Sequence, residues 1–438
     1  MQSDKLSGLK PPPFFLRNSR LAAAFIVFMN FLFISCDKTD TSVTAAGDEI
    51  VYVQTNNFAE NQNAILAYKN SGDGKLMPLT GSPFLTGGTG LGNPNQILGP
   101  ADSDNQILIT ADKKFLLVTN AGSNNITVFS IQANGSLVPV AGSPFPSGGQ
   151  TPSSIGASGS YIYVVNKSQD PLHTITQAPN YTALMIDAGG KLTLIPGATF
   201  ETTPGSSPAQ ALVSRDRKFL FGADFLGFML NPARGTLRSF VINTSPVITQ
   251  VAGTPYTIPN GGGALGLWQH PTENILYAGF PTQNKFGIYT IDPSSGALSF
   301  KSSVSAGPAA CWIRTNKAGS RLYTLNSAEN SISVFNTENP LSPVSLDKFS
   351  LKNSGPLIPN GMGGFSTTSE DFSFEFSGDE KFLYVLCQHT NQDFTIGNYN
   401  YFHVLSVAPD GRLSEPGEPL QMPVAANVRP QGIAVYGM

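Results

Sequence analysis

The stretch Lys114–Pro146, "KFLLVTNAGSNNITVFSIQANGSLVPVAGSPFP", decides how the chain folds. It starts with an apolar run rich in β-formers, "FLLVTN" (Phe115–Asn120), and resumes after a polar turn as "NITVFSI" (Asn125–Ile131), where apolar and polar residues alternate. Alternation with a period of two marks a strand that buries one face. The turn "QANGSL" then opens a third segment, which "GSPF" ends. Gly and Asn accept the left-handed backbone of tight hairpins, and Pro, lacking an N–H, is tolerable only at a sheet edge. Lys114–Pro146 therefore reads as three antiparallel strands, the last an outer edge whose aromatic packs between neighbouring sheets.

The unit returns along the chain. Runs equivalent to the first are "IVYVQ" (Ile50–Gln54), "YIYVVN" (Tyr161–Asn166), "FLFGAD" (Phe219–Asp224), "ILYAGF" (Ile275–Phe280), "LYTLN" (Leu322–Asn326) and "FLYVLCQ" (Phe382–Gln388). Each is followed by a second alternating strand, from "AILAYK" (Ala64–Lys69) to "YFHVLSV" (Tyr401–Val407). A fourth strand precedes every unit but the first, from "QILIT" (Gln106–Thr110) to "FSFEFS" (Phe372–Ser377), and the C-terminus supplies a spare, "QGIAVY" (Gln431–Tyr436). The edge motif recurs as "GSPF" at Gly81–Phe84, "GATF" at Gly197–Phe200 and "GTPY" at Gly253–Tyr256. Four-stranded units at intervals of roughly 46 to 64 residues, without helical periodicity between them, predict an all-β chain. The architecture expected is a seven-bladed β-propeller of four-stranded blades, its ring closed by the C-terminal strand pairing with the N-terminal blade. Closure removes sheet edges that would otherwise recruit other chains.

Ahead of the repeats, Lys5, Lys10, Arg17 and Arg20 precede the apolar run "LAAAFIVFMNFLFI" (Leu21–Ile34), which is short for a membrane span and has the length of a signal-peptide core. It ends in "FISC", a bacterial lipoprotein pattern in which Cys36 is lipidated and becomes the mature N-terminus. The division expected is a lipoprotein signal at 1–36, a polar tether at 37–48 and the propeller at 49–438, placing the protein in a bacterial cell envelope, lipid-anchored to a membrane. Removing the leader takes four of 26 basic residues and one of 29 acidic ones, leaving 22 against 28 and a net charge of −6. That balance excludes nucleic acid as a partner. Cys311 and Cys387, the other two cysteines, form no disulfide framework and match no zinc spacing, so they read as buried strand residues. No cofactor and no metal are expected, and the body reads as a monomer.

Propeller geometry sorts the loops. Connections on one face are tight turns. On the other lie long ones: Lys167–Tyr181, Phe225–Thr236 and His389–Asn400 within blades, and Gly81–Asn105, Thr254–Ala264 and Lys352–Asp371 between them. Long loops gathered on one face of a rigid scaffold are where binding sites are built. Their polar groups make Asp170, His173, Glu370, Asp371, His389, Asp393 and Arg429 the candidate binding face, with Asp102, Asp104 and Arg314 near the inner strands. Carboxylates and imidazoles converging there supply acid–base partners. His270 and His403 read as structural.

The unit turn–"KFLYV"–"N"–"ITVF"–"GSL"–"GSPF" resembles the seven-bladed lactonase family, relatives of the propeller-type 6-phosphogluconolactonases, from Ile50 to Tyr436. The resemblance implies basic inner-strand starts of the types Gly-Pro-Arg-His and His-Pro-Arg-Gly that hold and open a phosphorylated sugar lactone. Here the matching stretches are "GPAACWIRT" (Gly307–Thr315) and "RPQGIAV" (Arg429–Val435), so Ala309 and Ala310 replace Arg and His. Arg429 and Glu329 are the catalytic candidates that remain. Three functions follow: first, and favoured, an envelope-anchored propeller whose long-loop face binds a small molecule, glycan or envelope protein without catalysis; as the alternative, a lactonase-type hydrolase acting on a sugar or related lactone; and third, a structural envelope component.

Overall fold

In the structure, a computed structural model, the described residues are 49–437 apart from 95, 97, 243–246, 259–261, 360–363, 394 and 426. The expected leader, tether and Cys36 lie outside them. Every sheet is antiparallel, and no α-helix occurs among the described residues, only the 3-10 turns Gly227–Met229, Pro281–Gln283 and Ser327–Glu329.

Seven blades follow one another, each running from an inner strand to an outer one. Blade 2 shows the plan: Ile107–Ile109, Phe115–Asn120, Asn125–Ile131 and Leu137–Pro139, paired in chain order. Blade 1 departs from it as the repeats require. Its inner strand is the C-terminal Ile433–Gly437, laid antiparallel on Glu49–Gln54 with Ile433 opposite Val53 and Gly437 opposite Glu49. The chain thus enters and leaves the ring on the short-turn face. Between blades 6 and 7 the long connection folds into an extra hairpin, Leu357–Pro359 with Phe365–Thr367.

The Gly-Ser-Pro-Phe motif differs from its expected place. It interrupts the outer strand rather than ending it: Phe84 returns to pair with Ile65, and Phe145 with Ile126. The serine explains how the ladder tolerates the break. Its hydroxyl accepts the strand N–H left open at the kink, from Ala67 to Ser82 and from Val128 to Ser143, each at 2.9 Å. The phenylalanine behaves as expected, since Phe145 is buried with Phe115 of its own blade and Ile155 and Leu184 of the next.

Two repeated contacts set the blade spacing. A tyrosine of the second strand donates to a turn of the following blade, Tyr52 to the Gly135 carbonyl (2.6 Å) and Tyr323 to that of Gly411 (2.9 Å). At the seam the same position, Tyr384, donates to Glu49 (2.7 Å) and accepts from Asn70 (2.6 Å). The asparagine ending the second strand pins the inter-blade loop. Asn326 accepts from the Gly307 N–H (3.0 Å) and donates to Ser331 and Ser333. That loop must carry glycine, because a Cβ on Gly307 would stand 2.4 Å from Asn326 Cγ, and one on Gly149 2.6 Å from Asn166 Cγ.

Candidate functional site

The loop from blade 1 to blade 2 does not skirt the channel; it crosses it. Lys167 of blade 3 donates to the Ala101 carbonyl and to that of Asp102 (2.9 Å). The Asp104 N–H donates to Ala209 of blade 4 (3.2 Å), and Trp312 of blade 6 donates to the Ser103 carbonyl (3.2 Å). Gly99 N–H reaches Gln388 of blade 7 at 2.8 Å. Arg314 grips both oxygens of Asp104 (2.8 and 3.0 Å), contacts Glu375 (3.2 Å) and lies 4.7 Å over the Trp268 ring. Asp104 and Arg314 are both almost fully buried, so this pair acts as a bolt across the ring. Breaking one side of such a pair strands a charge without water.

Carboxyls cluster against this plug. Burial raises Glu370 to about 8, helped by the Asp102 charge and opposed by a hydrogen bond from Ser366. Burial also raises Asp102, although Lys167 and a hydrogen bond from Gln96 pull the other way, and it holds Asp371 well above the carboxylate range. Asp371 is fully buried, and the Ser327 hydroxyl beside it donates to its backbone carbonyl at 2.7 Å. Lys167, also desolvated, falls to about 8 against the pull of Asp102. The neighbouring thiols of Cys311 and Cys387 are free, buried and pushed far up by burial, which leaves them unreactive. Among the described residues no three His, Cys, Asp or Glu side chains are grouped to hold a metal ion.

Beside the plug a cavity of about 160 Å³ opens on the long-loop face, walled by Phe58, Leu91–Pro94, Gln96, Pro100, Leu172 and the lead-in to the closing strand at Asn427 and Arg429. Arg429 is buried, donates to Asn400 (3.5 Å), and burial lowers its guanidinium to about 10. Its carbonyl is held by Asn56, which also fixes Leu91 through two bonds (3.1 and 2.7 Å). Gln96 joins the cavity to the acid cluster, donating to Asp102 at 2.6 Å and to the Gly99 carbonyl at 2.8 Å. His389 is half-buried, and both burial and the Arg429 charge press its proton off. Its Nδ1 has no hydrogen-bond partner among the described residues.

Of the candidates read from sequence, only Arg429 lines the cavity; His389 stands within electrostatic reach of it, and Glu370 and Asp371 belong to the buried carboxyls beside the plug. Others are spent locally. Asp170 accepts from the Leu172 N–H (2.8 Å) and binds His173 at 2.6 Å, so the pair shapes the loop that presents Leu172 to the cavity. Asp393 is exposed and accepts from the N–H and hydroxyl of Thr395, bonds that lower its pKa. Glu329 is occupied by Lys348 (3.0 Å) and Ser331 (2.8 Å). His270 reaches the Gly319 carbonyl (3.1 Å) and His403 pairs with Glu415 (2.7 Å), both buried. The sequence does not single out Gln96 and Lys167, because nothing in a loop's composition reveals that it turns inward. The only sign was the length of Gly81–Asn105.

Comparison with known proteins places this geometry in context. Residues 64–185 match the family described as lactonase, seven-bladed β-propeller. No curated protein sequence matches the chain. Among solved structures, the periplasmic gluconolactonase of Pseudomonas aeruginosa superposes with a TM-score of 0.63 at 16% identity, covering 89% of this chain and 99% of its own. A provisionally assigned 6-phosphogluconolactonase of Bacteroides uniformis gives 0.63 at 15%, covering 89% and 100%. A protein from Lactobacillus plantarum gives 0.60 at 16%, covering 89% and 99%. The sequence likeness to that family is confined to residues 64–185, and the structural likenesses show the fold that the described body shares, a seven-bladed β-propeller.

Proposed function

We propose that the protein is a lactonase-type hydrolase whose reaction takes place in the cavity at the channel mouth. One observation carries the reading: a buried guanidinium, Arg429, stands in the wall of that cavity on the segment leading into the closing strand. Stripped of water, such a charge acts strongly on a carbonyl oxygen that gains negative charge in the transition state. His389, kept neutral by burial and by Arg429, is the base. A water oxygen bonds to the lactone carbonyl carbon while the imidazole takes its proton. The ring C–O bond then breaks, and the ring oxygen recovers that proton, leaving a hydroxy acid. The likeness to the gluconolactonase and to the lactonase family supports this reading over that of a binding module.

Hydrolysis of a lactone panel by the purified chain tests it. Arg429→Ala should lower kcat/KM about 100-fold, the scale for losing one oxyanion donor. Unchanged turnover in that variant refutes the role. Anchoring through Cys36 is a separate proposal that rests on the leader's pattern. Labelling with a palmitate analogue should mark the intact protein and be lost in Cys36→Ala; retained label refutes the anchor.

A further inference from the structure

We infer that the cavity takes a small uncharged lactone with an apolar substituent, not a phosphorylated or carboxylated sugar lactone; this rests on the hydrolase reading above. Size comes first. The cavity, open to solvent on one side, holds about 160 Å³. A protein cavity of about 150 Å³ accommodates a benzene-sized guest. A five- or six-membered lactone with a methyl or ethyl group fills it, whereas a phosphorylated six-carbon sugar lactone does not enter whole.

The wall gives the same answer by chemistry. Phe58, Leu91, Pro94, Pro100 and Leu172 form the apolar part of the wall, beside the amides of Asn93, Gln96 and Asn427, and Arg429 is the one charged residue among the lining positions described. A ring hydroxyl turned toward those five would lose its hydration without a partner, which costs on the order of 1–3 kcal/mol each on protein scales. The surroundings are unsuited to a second anionic group. Gln96 in the wall is hydrogen-bonded to Asp102, so the group that faces the cavity from the acid cluster is a neutral amide and not a cation. Lys167, the nearby ammonium, is already turned to the Ala101 and Asp102 carbonyls.

The test compares kcat/KM of the full-length chain for δ-hexanolactone, glucono-δ-lactone and 6-phosphoglucono-δ-lactone, followed by proton release. The expected order is the order named, with about 10-fold or more between the first two, the scale set by a few apolar contacts. The half-exposed wall residue gives a second arm, because Leu172→Asp should reduce the preference for δ-hexanolactone over glucono-δ-lactone without disturbing the core. Turnover of the phosphorylated lactone equal to or above that of δ-hexanolactone overturns the substrate class and leaves the hydrolase reading standing. Turnover of none of the three overturns the hydrolase reading itself.

Discussion

Glu370 and His389 occupy neighbouring strands of blade 7, Glu370 opposite Gln388 and His389 opposite Ser369. Burial moves their protons in opposite senses to the same end: the carboxyl keeps its proton and the imidazole gives one up, so both are uncharged. Stability follows from this. The unfolded carboxyl releases its proton near its ordinary value, while the folded one holds it to about 8. The folded state binds the extra proton across that window, so this contribution is complete at low pH and is lost as pH rises to about 8. The melting temperature of wild type should therefore decline, relative to Glu370→Gln, between pH 5 and pH 8; parallel curves would contradict the burial of that carboxyl. Activity has the opposite acid-side dependence. A neutral His389 with depressed basicity predicts kcat/KM that rises to a plateau below the ordinary histidine range, and His389→Gln should abolish that limb.

Among elements, the strands were the readable part. The second-strand runs and the spare "QGIAVY" placed the blades and the seam because a strand buried between two neighbours must be apolar, and its turns must be Gly, Asn or Asp. The Gly-Ser-Pro-Phe break was misplaced because no residue type announces that a serine hydroxyl will stand in for a missing ladder acceptor, as Ser143 does for Val128. The asparagine ending each run looked like a mark of the repeat, and its work emerged only in three dimensions. Asn326→Leu keeps the volume but strands the Gly307 N–H and two serine hydroxyls. It should destabilise the fold by about 1–3 kcal/mol in denaturant titrations, and Tyr323→Phe by about 1 kcal/mol. A loss confined to activity, with stability intact, would mean that these groups serve the site and not the scaffold.

At the scale of the molecule, the ring and its plug are one system. The inter-blade loop that crosses the channel ties blades 3, 4, 6 and 7 together, and its Asp104–Arg314 pair spans from blade 2's lead-in to blade 6. Arg314→Met should therefore cost about 3–5 kcal/mol, the scale for stranding a buried partner charge. It should also loosen the cavity wall at Leu91–Pro94, seen as faster amide exchange there. The candidate site was legible in part for the same reason. Glu370 and His389 lie at strand ends and Arg429 on the lead-in to the closing strand, places that the repeat fixes, whereas Gln96 and Lys167 depend on a loop path that no periodicity encodes. The central claim is that the mouth cavity opens lactones through Arg429. Its most direct test is proton release from δ-hexanolactone by wild type and by Arg429→Ala, at a temperature where circular dichroism shows both to be folded. Saturable wild-type turnover that falls about 100-fold in the variant is the predicted result; equal rates, or a wild-type rate no faster than buffer, would contradict it.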